Sequence, residues 1–108
     1  MLPEKKLSSR EVYHGRGIAL HVDTIEKLNG RKTTRELVEH SDCVAVVVLD
    51  IHANVLLVRQ FRYAVGKPLL EVPAGGIELG EKPIDCVRRE LQEEIGYLPK
   101  KIDELGGF

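Results

Sequence analysis

Apolar and polar residues change rhythm three times along the chain, and each rhythm predicts a different element. Over residues 17–27 (GIALHVDTIEK) they alternate, with Ile18, Leu20 and Val22 on one side and His21 and Asp23 on the other. A period of two predicts a half-buried β-strand. Residues 8–14 predict a short strand before it and residues 31–40 (RKTTRELVEH) a strand after it. Asn29-Gly30 joins the last two, a pair that tolerates the positive φ of a tight hairpin. Residues 1–41 are therefore expected to form a small antiparallel sheet. It holds few large apolar side chains and is expected to rest on the main body of the protein or on a second subunit.

The second rhythm starts after Cys43. Val44 to Asp50 (VAVVVLD) is continuously apolar and β-branched, which predicts a central strand buried on both faces. Ile51 to Asn54 predicts a turn, Val55 to Arg59 a second strand, Gly66-Lys67-Pro68 a break, and Leu69 to Val72 a short third strand. In the third rhythm Ile84, Val87, Leu91 and Ile95 recur at helical spacing and predict one core-facing stripe. Pro83 suits the first turn of that helix, where its missing N–H costs nothing. Gly96 suits a left-handed C-cap, and Pro99 prevents the helix from resuming. Ile102 to Phe108 predicts the start of another strand.

Composition narrows the function classes. The 108 residues amount to one domain or part of one, with 42–108 as the main body, and the formal net charge is −1. Neither a basic nucleic-acid face nor a membrane-surface patch is expected. No apolar run approaches the length of a spanning helix, and MLPEKKLSSR has no signal-peptide apolar region. Cys43 and Cys86 are isolated, which predicts two half-buried thiols in a reducing cytoplasm. His14, His21, His40 and His52 are scattered without zinc-ligand spacing, and Ser8 and Ser9 lack a nucleophile-elbow context.

The candidate chemistry lies at the end of the predicted helix. Glu90, Glu93 and Glu94 crowd its last turns, where like charges repel by about 0.2–0.5 kcal/mol per pair and the negative end of the macrodipole adds to the penalty. That placement predicts a positive partner. At 100° per residue Glu90 and Glu94 stand one turn apart, with Glu93 beside them and Arg89 at the far edge, within reach of a carboxylate or of Glu81. The glycines before the helix allow close backbone approach, so the Ala74 carbonyl is a further candidate ligand. Several oxygens and no soft donor suit Mg²⁺, or Mn²⁺, better than zinc.

The spacing from Gly75 through Glu81, Arg89-Glu90, Glu93-Glu94 and Gly96 resembles the signature box of the Nudix hydrolase family. One position departs from it: Tyr97 stands where the family usually has an aliphatic residue. The resemblance implies an α/β fold, the family's α/β/α sandwich with a mixed sheet. It implies hydrolysis of a nucleoside diphosphate linked to another group, with Glu90 and Glu94 as the principal metal ligands and Glu93 and the Ala74 carbonyl assisting. These carboxylates would carry the catalysis, while Gly75, Glu81, Arg89 and Gly96 hold the loop–helix–loop in shape. The flanks Arg59-Gln60-Phe61-Arg62, Glu71-Val72-Pro73-Ala74-Gly75 and Thr33-Thr34-Arg35-Glu36 are similar to the ADP-ribose pyrophosphatase branch. The implied substrate is then ADP-ribose or a related nucleoside diphosphate sugar, cleaved in the first case to AMP and ribose 5-phosphate. Arg62 would meet the diphosphate, Arg35 would do so from a partner subunit, and Glu71 is a further substrate or metal candidate.

The same branch implies a homodimer through the N-terminal sheet. It also implies further strands, a C-terminal helix and a loop carrying another glutamate, the expected base, beyond residue 108. On that expectation the 108 residues are part of a longer fold and expose an apolar patch when alone. Two other readings are open at this stage: a Nudix-fold module that binds a nucleotide sugar without cleaving it, and a pyrophosphatase of another nucleotide.

Overall fold

The computed structural model describes residues 4–108. Residues 1–3 of the expected N-terminal sheet lie outside the described residues. The chain divides into two compact units, Met1–Ser41 and Asp42–Phe108.

The first unit is a three-stranded meander, β1 (Lys5–His14), β2 (Ala19–Glu26) and β3 (Lys32–Glu39), paired antiparallel in the order β1-β2-β3. Its first strand begins earlier than the sequence pattern suggests. The hairpin between β2 and β3 closes where Lys27 N–H donates to the Arg31 carbonyl and Gly30 N–H to the Lys27 carbonyl, both at 2.9 Å. Only Gly30 takes positive φ there; Asn29 instead uses its side-chain oxygen to accept from Arg31 N–H at 3.0 Å. As the central strand, β2 holds the buried positions of the unit, Ile25 and Asp23. Every residue of β1 is exposed.

The second unit is built from hairpin-like pairs and one helix. β4 (Cys43–Ala45) pairs with β9 (Ala74–Gly76), β5 (Val48–Leu49) with β6 (Val55–Leu56), and β7 (Val58–Arg62) with β8 (Lys67–Glu71), all antiparallel. A 3₁₀ turn at Tyr63–Val65 joins β7 to β8. The β5–β6 turn is fastened by Asp50, whose carboxylate accepts from Asn54 N–H, Asn54 Nδ2 and His52 N–H at 2.8–3.1 Å. Those bonds, the backbone one from Asn54 first, hold the Asp50 carboxyl below its ordinary value. Helix α1 (Pro83–Ile95) packs on β4 and β9. Of the α/β/α sandwich, the described residues thus supply strands and one helix. No helix among them is long and apolar enough to cross a membrane.

Four expectations need correction. The run Val44–Asp50 is not one strand buried on both faces: it is split between β4 and β5, and Val47 and Leu49 are more than half exposed. Burial of both faces needs a covering layer on each side, and α1, which packs on β4 and β9, supplies one such layer. Ile102 to Phe108 forms no strand, because a strand exists through its pairing and no described edge pairs with it. The buried face of α1 is centred on Cys86, Glu90 and Leu91, while Ile84 is largely exposed. The helix turns this way because Gly75, lacking a side chain, leaves room for Glu90 at the contact with β9. Cys86 is consequently fully buried rather than half-buried, and Cys43 is exposed.

Candidate active site

β9, the loop after it and α1 together form the site. Pro83 opens the helix at its first positions, and Gly96 closes it at φ 72°, its N–H donating to the Gln92 carbonyl at 3.1 Å. Between these ends Arg89 is the organising side chain. Its Nε and Nη2 donate to the two oxygens of Glu81, both at 2.9 Å, the bidentate geometry that a guanidinium fork favours. Nη1 donates to Glu90 at 2.8 Å and to Glu93 at 3.3 Å, and Nη2 also donates to the Gly76 carbonyl at 2.9 Å. One cation therefore ties the loop to three carboxylates.

The electrostatics follow from that wiring. The hydrogen bonds from Arg89, helped by Glu78 N–H, hold the Glu81 carboxyl down at about 2. The same pairing with Glu81 raises Arg89, so its charge is fixed. Burial, with the nearby Glu81 charge, pushes the Cys86 thiol up to about 11. Cys86 acts as a small apolar filler whose S–H points at the Gly76 carbonyl, 3.5 Å away.

The three glutamates of the last turns have different surroundings. Glu90 is buried, its carboxylate lying in the space where Gly75 has no Cβ; any side chain at Gly75 would overlap it. Glu93 is mostly exposed and reaches back only to Arg89. Glu94 is the exception: its Oε2 is buried and has no hydrogen-bond partner among the described residues. A buried carboxylate oxygen without a donor is costly, and the last turn of α1 contains no basic residue. An all-oxygen donor set with one unsatisfied member fits a hard divalent cation. Among the described residues no group of three or more His, Cys, Asp and Glu converges to hold a metal ion. Arg89 holds Glu90 and Glu93, and Glu94 is left as the unsatisfied donor.

The remaining predicted residues are placed as follows. Ala74 is exposed and opposite Ala45 in the β4–β9 ladder. Arg62 lies on β7 and donates from Nε to Glu71 at 2.8 Å and from Nη2 to Gln60 at 2.6 Å. Hydrogen bonding to Glu71 is the main cause that raises Arg62, and the charge of Glu94 acts in the same direction. Arg62, Glu71 and Glu94 thus share one electrostatic neighbourhood. Arg35 belongs to the other unit, on β3, and its guanidinium is engaged by Glu4 at 2.6 and 3.2 Å. Sequence reasoning passed over Gln60 and underrated Cys86. The signal for Gln60 was present: two residues before Arg62 on a strand is the same face.

Comparison with known proteins agrees with this geometry. The profile of the NUDIX domain matches residues 39–108. The chain is 36% identical over 107 residues to an ADP-ribose pyrophosphatase of Bacillus subtilis, covering 99% of this chain and 58% of that protein. It is 35% identical over 108 residues to a methanol dehydrogenase activator of Bacillus methanolicus, covering all of this chain and again 58% of the relative. A crystal structure of an ADP compounds hydrolase superimposes with a TM-score of 0.78 at 22% identity, over 94% of this chain and 55% of that one, so the fold is shared. The chain spans little more than half the length of these relatives. With its helix cap, its glycine-seated glutamate and a domain match over residues 39–108, the chain belongs to the Nudix family.

Proposed function

We propose that the protein hydrolyses the diphosphate bond of ADP-ribose or a related nucleoside diphosphate sugar, giving AMP and ribose 5-phosphate from ADP-ribose, with Mg²⁺, or Mn²⁺, as cofactor. The observation that carries this reading is the pairing of two opposite needs in one unit. Glu94 has a buried oxygen without a hydrogen-bond partner among the described residues, and Arg62, on which its charge acts, is a hydrogen-bond donor suited to phosphate oxygens. The ADP-ribose pyrophosphatase relative supports the choice of substrate class.

In this reading Glu94, Glu90 and Glu93 would hold the cation, with the Ala74 carbonyl in reach of the same loop. When bound, the metal polarises phosphoryl oxygens and lowers the pKa of a water. The chain's own contribution is positioning. Arg89 takes up repulsion among Glu81, Glu90 and Glu93 by donating to all three carboxylates. Gly75 lets Glu90 sit against the backbone. Arg62 would orient the diphosphate and offset its charge. The sheet Lys5–Glu39 would pair two subunits, its exposed Leu7, Val12 and Tyr13 covered by a second copy, and Arg35 would exchange Glu4 for the neighbouring subunit's substrate.

The test uses the full-length protein. AMP release from ADP-ribose is expected with Mg²⁺ and is lost in Glu90→Gln and in Glu94→Gln. Mg²⁺ is also expected to raise the melting midpoint of the wild type and not of Glu94→Gln. Turnover retained in both variants overturns the assignment. Binding of ADP-ribose in Ca²⁺ without any turnover in Mg²⁺ makes the protein a binding module instead.

A further inference from the structure

Arg62 does not extend from its strand as a free surface arginine. On β7 the residues sharing its face are Gln60 and Val58, and in the β7–β8 register Val58 is opposite Glu71. Glu71 is therefore set back by four residues along the sheet, roughly 13 Å at the rise of a strand. The Arg62 Nε bond to Glu71 at 2.8 Å and the Nη2 contact at 2.7 Å require its side chain to lie back along the sheet, over Gln60. Gln60 meets it there, its carboxamide oxygen accepting from Nη2 at 2.6 Å.

The count of donors gives this arrangement a direction. A guanidinium has five N–H groups. Glu71 takes the one on Nε and pairs with Nη2 at 2.7 Å, and Gln60 takes an N–H of Nη2. No hydrogen bond among the described residues engages Nη1. Its two N–H groups are free for a ligand, and the two engaged nitrogens fix which way they point. An arginine held on one edge gives up less rotamer freedom when it binds a phosphate on the other. With the side chain about half exposed, the ion pair alone contributes little to stability, so orientation is what the clamp provides.

We propose that Gln60 and Glu71 are positioning residues that present the Nη1 edge of Arg62 to the phosphates of the substrate. Glu71 is then a holder of the substrate arginine and not itself a ligand of substrate or metal. The inference rests on the reading of Arg62 as the diphosphate contact.

The experiment measures two quantities on the full-length protein: kcat and KM for ADP-ribose with Mg²⁺, and binding of inorganic pyrophosphate by calorimetry. Gln60→Ala and Arg62→Lys are each expected to raise KM and weaken pyrophosphate binding about tenfold, the scale of one charge-assisted hydrogen bond. The melting midpoint should hardly move. Because Gln60 acts through Arg62, the double variant Gln60→Ala with Arg62→Lys is expected to be no worse than Arg62→Lys alone. Losses that multiply, or pyrophosphate binding that Gln60→Ala leaves within twofold of wild type, overturn the clamp, as does a wild type that binds no pyrophosphate. If ADP-ribose is not cleaved but pyrophosphate binding follows the expected pattern, the clamp stands and the substrate assignment falls.

Discussion

Gly75→Ala tests the site at its most crowded point. The added methyl would fall inside the contact distance of the Glu90 Cδ and both its oxygens, where an ordinary contact begins at 3.4 Å. The carboxylate must retreat by about an ångström or the helix must lift from β9. Retreat is resisted, because Glu90 is buried and bonded to Arg89 at 2.8 Å. Overpacking of this kind costs about 1–3 kcal/mol, and each kcal/mol lowers the melting midpoint of a domain of 150–250 residues by about 2–4 °C. An ångström of displacement at a catalytic group costs on the order of 10²-fold in rate. Thermal unfolding and AMP release of the full-length protein measure the two effects. Glu90→Asp, one methylene shorter, makes room for the methyl. Gly75→Ala with Glu90→Asp is therefore expected to melt above Gly75→Ala alone while remaining poorly active. A Gly75→Ala protein that melts and turns over like the wild type refutes the packing argument, and so does a double variant in which the two destabilisations simply add.

Two further outcomes follow from the same wiring. Glu81 titrates at about 2 in the fold against an ordinary 4.5, so the stability of its pairing with Arg89 is fully present above about pH 4.5 and is lost as pH falls towards 2. Melting curves over that range should fall more steeply for the wild type than for Glu81→Gln, and parallel curves would contradict it. Cys43 is exposed, while Cys86 is buried with its thiol raised from 9.0 to about 11. A thiol reagent at pH 8 should therefore modify Cys43 quickly and Cys86 only after denaturant is added.

The helix was legible in the sequence because its ends are set by local chemistry, Pro83 at the start and Gly96 in the left-handed conformation at the close. The hairpin at Asn29-Gly30 was legible for the same reason, although only the glycine takes the positive φ. The run Val44–Asp50 was misread because an apolar stretch records a tendency to be buried and not which partners do the burying. β4 and β5 take different partners, β9 and β6. The helix face was read in part: Leu91 is buried and Val87 and Ile95 half-buried, but periodicity weighs side chains and not the gap that a glycine leaves, and Cys86 and Glu90 turn inwards where Gly75 receives Glu90. Spacing brought Glu90, Glu93 and Glu94 onto one stretch of helix, but their division between Arg89 and an unpartnered oxygen needed coordinates. Glu71 was legible as an acidic residue at the mouth of the loop, whereas the hydrogen bond it accepts from Arg62 needed coordinates.

The bonds made by Arg89 also bear on how the site comes into being. Each links residues close in sequence: 13 apart for Gly76, 8 for Glu81, 4 for Glu93 and adjacent for Glu90. The entropy of closing a loop rises with its length, so these closures are among the least demanding in the chain. Elements built from such local contacts can form quickly, ahead of long-range strand pairing. The wiring of Arg89 is thus local, although β9 and α1 still need β4 to pair with and to pack on. Its charge pattern is set within a single short stretch of chain, from Gly76 to Glu93.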